Sequence, residues 1–77
     1  MNPRLVNGWL VVDTDAPDRA DVQIALFTSK SKAFVPAFRD YEDGQRVAKI
    51  KAGDASGRAV VYLRVDGSET MVGSLTI

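Results

Sequence analysis

Apolar residues arrive along this chain in short runs of Val, Ile, Leu and Phe, broken by Gly, Asp, Ser and Pro. No apolar stripe holds a helical period over a useful length, and runs of this kind at regular spacing predict strands. Six are expected, over 5–12, 22–27, 33–38, 46–51, 59–65 and 70–77. Between the last two lies Asp66-Gly67, a pair that tolerates the positive φ needed at both centres of a tight hairpin turn. The 52–57 segment, with two glycines and Asp54, is expected to join the fourth and fifth strands as a longer hairpin. Residues 40–45 read as a polar turn around Gly44. The 37–44 stretch is the one place for a helical turn, which Pro36 and a mixed pattern oppose. Asn7-Gly8 has too short an arm before it for a hairpin, so a bulge is expected there. Pro36 lacks an N–H and places the third strand at an edge or on a bulge.

Strands joined by short turns, with no crossover helices, imply antiparallel pairing. The expectation is a single all-β domain over residues 1–77: a small six-stranded antiparallel barrel or sandwich.

Alternation along the strands assigns faces. In the fifth strand Ala59, Val61, Leu63 and Val65 point inward, and Arg58, Val60, Tyr62 and Arg64 outward. In the fourth, Ala48 and Ile50 point inward, and Val47, Lys49 and Lys51 outward. If the two strands form a hairpin, their outer faces merge into a cluster of Lys49, Lys51, Arg58, Tyr62 and Arg64 with no acid among them. Such a face resembles a single-stranded nucleic-acid platform, on which bases stack on an aromatic while cations follow the phosphates. A solvated outer face kept soluble by long charged side chains has the same composition. Trp9, Phe34 and Phe38 are expected in the core. Phe27 falls on the side opposite Val22, Ile24 and Leu26, where it is either an apolar interface patch beside Ala25 or part of a doubly covered strand.

Composition narrows the chemistry. The 77 residues include no Cys and no His, so disulfides and the usual zinc ligands are absent. A domain this small has a thin core, and without staples self-association or docking is the remaining route to stability. Ten basic and ten acidic residues cancel, which removes the whole-chain basic excess typical of nucleic-acid or lipid binders. The first eight residues lack the pattern of a signal peptide, and no apolar stretch approaches a membrane span. The expected setting is cytoplasmic, or the virion if the chain is phage-encoded.

Four carboxylates within 13–21 invite a Ca²⁺ reading, but the spacing departs from known Ca²⁺ loops and Arg19 sits among them; a solvated turn is expected, and no metal. Lys30-Ser31-Lys32 reads as a polar turn with at most a phosphate contact. Glu42 and Asp43 are adjacent, so on a strand they diverge and make a poor acid–base pair. Ser–His and Cys–His pairs cannot form, and no Gly-rich phosphate loop precedes a helix. The expectation is therefore a non-enzyme without cofactors. Its role would be a structural or interaction module that self-assembles or docks on a larger protein, in the manner of phage accessory or small inhibitory proteins. The contact residues would be Phe27, Val35, Leu75 and Ile77, on the argument that Ile77 lies in a strand pattern that an edge can share. The alternative is the nucleic-acid platform on Tyr62. No membrane partner is expected.

Overall fold

The computed structural model describes residues 3–77 and contains eight strands: β1 (Arg4–Val6), β2 (Trp9–Asp13), β3 (Val22–Phe27), β4 (Phe34–Pro36), β5 (Phe38–Glu42), β6 (Gln45–Lys51), β7 (Arg58–Val65) and β8 (Ser68–Thr76). They form two four-stranded antiparallel sheets, in the orders β1-β2-β6-β5 and β4-β3-β7-β8. The sheets stay open, so the all-β expectation resolves into a sandwich-like arrangement of eight strands and not a closed barrel. Among the described residues no helix is long and apolar enough to cross a membrane. The reading of the first eight residues rests partly on Met1 and Asn2, which lie outside the described residues.

Two expected strands are each split in two. Asn7 and Gly8, with φ of 51° and 82°, make a two-residue turn between Val6 and Trp9, so the first run is a hairpin and not a bulged strand. Its three-residue arm suffices because each residue of β1 has a partner on β2. The third run divides at Ala37, whose N–H donates to the Val22 carbonyl at 3.0 Å. There the chain leaves β4 in the second sheet and enters β5 in the first. Residues 38–42 are thus strand and not a helical turn, and Asp43-Gly44 closes β5 onto β6 with φ of 51° and 81°.

The expected hairpin between the fourth and fifth runs does not form. β6 is flanked on both sides, by β2 and β5, and β7 lies between β3 and β8 in the other sheet. The 52–57 segment therefore crosses from one sheet to the other, with Ala55 packed against the core. The physical reason is that both hydrogen-bonding edges of β6 are already taken, by β2 and β5. Val47 and Ala48 point to opposite faces and are both fully buried, the signature of a strand covered on both faces.

The main core fills the space between the sheets. Leu10, Val12, Ala48 and Ile50 come from the first sheet; Val22, Ile24, Leu26, Ala59, Val61 and Leu63 come from the second. A smaller buried layer lies on the outer side of the first sheet, where Val11 and Val47 are at most 1% exposed. Arg4 reaches across it from the β1 edge to Asp13 (3.1 Å) and to Glu42 on the opposite edge (2.5 Å), so this sheet curls over the two valines. Trp9 and Phe38 meet edge-on above them at 5.7 Å. These rings, expected in the core, instead roof the outer layer, and Phe38 remains 62% exposed.

Candidate interaction face

The outer side of the second sheet gathers the aromatic residues that the first does not use. Register places Phe34, Ala25, Tyr62 and Met71 in one row across β4, β3, β7 and β8, with Phe27 and Val60 paired in the next. Ala25 is fully buried beneath the rings, and its small side chain lets them close over the strand. Phe27 lies 4.7 Å from Tyr62 and 6.0 Å from Phe34, within the range of favourable aromatic pairs. The Arg64 guanidinium stacks 3.8 Å over the Phe34 ring while donating to Gln23 Oε1 (3.0 Å) and Glu69 Oε2 (2.6 Å). Its charge is thus met within the face. Met71, at the margin, is 59% exposed. The result is a partly exposed apolar patch with one internally paired cation.

The residues expected to form a merged basic face do not share one. Lys49 and Lys51 stand on the outer side of the first sheet, their ammonium groups 4.9 and 5.7 Å from the Trp9 ring centroid, and Lys49 also donates to Asp40 (3.1 Å). Arg58, Tyr62 and Arg64 stand on the outer side of the second sheet, the far side of the sandwich. That face also contains an acid, Glu69, contributed by β8. The separation follows directly from the missing hairpin. Within β6 and β7 the assigned faces hold; the error lies in joining the strands.

The four expected contact residues are also dispersed. Phe27 faces outward on the aromatic patch. Leu75 and Ile77 are partly buried and pack on the main core. Val35, opposite Ile24, is exposed at the mouth of the sandwich. There it lines a cleft of about 340 Å³ with Leu26, Ile50, Ala55 and the Lys30-Ser31 turn. Phe34 is read as core because its run is taken as one strand; its alternation with Val35 within β4, which puts the two on opposite faces, is the available signal.

Two of the four carboxylates of the 13–21 segment, those of Asp13 and Asp18, pair with cations. Asp13 pairs with Arg4, and Asp18 accepts from Tyr41 Oη (2.9 Å) and Arg46 Nε (3.1 Å). Arg39 donates to the Pro17 and Ala16 carbonyls at 2.9 and 2.7 Å, and Asp66 Oδ1 accepts from the Asp21 N–H at 2.9 Å. No group of three metal-ligating side chains forms among the described residues. The Tyr41 hydroxyl, then Arg46, holds the Asp18 carboxyl below the ordinary carboxylate range; the Tyr41 N–H, then Lys49, does the same for Asp40. Groups depressed in the folded state contribute stability above their unfolded pKa and lose it as pH falls through the folded one. Stability is therefore expected to decline between about pH 5 and pH 2. Asp18→Asn should flatten part of that decline in urea titrations; an unchanged pH profile would show that these contacts contribute nothing.

Comparison with known protein families, curated proteins and solved structures finds no match for this chain.

Proposed function

We propose that this chain is a non-catalytic interaction module that docks on another protein through the outer face of its second sheet. The observation that carries the reading is the Phe27–Phe34–Tyr62 cluster, left partly exposed above a fully buried alanine. Aromatic side chains with few rotatable bonds make strong contacts at low entropic cost, and an apolar centre with a polar margin is the usual anatomy of a protein interface. Gln23, Glu69 and Arg58 supply that margin.

The single-stranded nucleic-acid reading keeps its aromatic platform on this face but loses its cations. Arg64 is neutralised by Glu69, Lys49 and Lys51 lie on the far side, and among the described residues Arg58 is the one cation on the face without an ion pair. Affinity for phosphates scales with the cations that meet them, so the face favours protein over nucleic acid.

Affinity capture by the full chain tests this, with Tyr62→Glu and Lys49→Glu as paired baits. The expected partner is retained by the wild type and by Lys49→Glu, and is lost with Tyr62→Glu while far-UV circular dichroism stays unchanged. Equal capture by all three baits sinks the face. Binding of a labelled single-stranded oligonucleotide that disappears with Tyr62→Glu or added salt would restore the nucleic-acid reading in its place.

A further inference from the structure

An open sheet has edges, and each exposes unpaired backbone groups that invite another strand. Three of the four edges here are blunted. β1 and β4 are three residues long, and β4 ends in Pro36; β5 has five residues, three of them charged (Arg39, Asp40, Glu42). β8 is the exception: nine residues with one charged side chain, Glu69, already paired within its own sheet.

The free groups of β8 can be identified. Gly57 and Ile77 exchange both backbone hydrogen bonds (3.1 and 2.9 Å), so Ile77, Leu75 and Gly73 face β7, while Thr76 and Ser74 face away. At the other end the two-residue turn makes Val65 and Ser68 a bonded pair, so Ser68 and Thr70 face β7 while Glu69 and Met71 face away. The phase changes at the bulge beside Gly73, where the ladder slips by one residue. The outward set is Glu69, Met71, Ser74 and Thr76.

We propose that a second copy of this chain pairs with this edge, β8 against β8, antiparallel about a two-fold axis between Val72 and Gly73. This rests on the reading of the chain as an interaction module. In that register Glu69 faces Thr76 of the second copy and Met71 faces its Ser74, so all four outward residues are paired; every other two-fold register engages two of them or fewer. No like charges oppose each other. Glu69 enters the row that ends at Arg58 of the second copy, the cation left unpaired in one chain. The exposed Met71 lies against Ser74 and Val60 of the second copy, which carry its row on to the second copy's Phe27. The two aromatic patches become one band on a continuous eight-stranded sheet, joined by about eight backbone hydrogen bonds. A second copy fits this edge because β8 is complementary to itself.

Light scattering and amide exchange on the full chain test the pairing. The wild type is expected near twice 8.4 kDa, with the Glu69, Met71, Ser74 and Thr76 amides protected at least about tenfold more at high than at low concentration. Ser74→Pro removes an outward donor that makes no bond within the chain, and is expected to run as a monomer with unchanged circular dichroism. Met71→Lys, at an exposed position, is expected to weaken the dimer as well. A wild-type monomer whose four outward amides exchange freely would overturn the pairing and leave the docking face standing. A dimer that survives Ser74→Pro and Met71→Lys but is lost with Tyr62→Glu would place the contact on the aromatic face and remove the edge. A dimer broken by Ser74→Pro, with capture indifferent to Tyr62→Glu, would retain the edge and sink the docking reading.

Discussion

Ile24→Ala is expected to lower the stability of this chain by about 3 kcal/mol, read as a shift of the urea midpoint at constant slope. Ile24 is fully buried on β3, between β4 and β7, and points at the first sheet in the middle of the core. Truncation removes its transfer free energy and leaves a void that flanking strands, tied by backbone bonds on both sides, cannot collapse to fill. Chains of this length have total stabilities of about 4–12 kcal/mol, so the loss is a large fraction of the whole. Phe27, three residues on and on the opposite face, supplies the contrast: its replacement by alanine is expected to cost less, about 1–2 kcal/mol, because its ring is only partly buried. A larger loss for Phe27→Ala than for Ile24→Ala would invert the assignment of core and contact faces, and with it the proposed function.

The inward half of that contrast was legible in the residue pattern. Val22, Ile24 and Leu26 alternate with Gln23, Ala25 and Phe27, which sets the inward face and leaves Phe27 open between an interface patch and a doubly covered strand. The Arg58–Val65 strand was legible for the same reason. What alternation does not encode is which strand lies beside which. β6 and β7 each have unmistakable faces, yet nothing in either run says that a six-residue link carries the chain into the other sheet. A link of that length spans a hairpin or a crossing between sheets equally well. The basic cluster of Lys49, Lys51, Arg58, Tyr62 and Arg64 was built on that one neighbour relation and came apart with it. Val11 and Val47 escaped for a different reason. They lie on the polar side of their strands and are buried by Arg4 arriving from the far edge, a contact between residues 38 apart that no local pattern carries. Asn7-Gly8 and Asp43-Gly44 have the same chemistry as Asp66-Gly67, and all three make the same kind of turn. The short arm before Asn7-Gly8 is what argues against a turn there in the sequence, and three paired residues prove enough.

Gly67→Val is expected to cost about 2 kcal/mol, and the cost should be entirely conformational. Gly67 has a φ of 88°, in a region closed to β-branched side chains, and a Cβ added there would have open space around it. Strain without collision means that the backbone, and not packing, resists the change. The turn is also tied on its other side. Asp66 exchanges two hydrogen bonds with Asp21, its N–H donating to the Asp21 carbonyl at 2.8 Å and its Oδ1 accepting from the Asp21 N–H at 2.9 Å, so the hairpin cannot relax by tilting. A distorted turn shifts the start of β8 against β7, which moves Glu69 from Arg64 and Met71 from Tyr62, the rows on which the proposed face and edge depend. Thermal unfolding should therefore show a lower midpoint for Gly67→Val, with weaker association than the stability loss alone explains. A D-alanine at position 67, introduced by chemical ligation, adopts positive φ without strain and is expected to match or exceed the wild type, because it also restricts the unfolded chain. If valine and D-alanine lowered the midpoint equally, the cost would arise from the added side chain and not from the left-handed backbone, and the turn would not be what holds β8 in register.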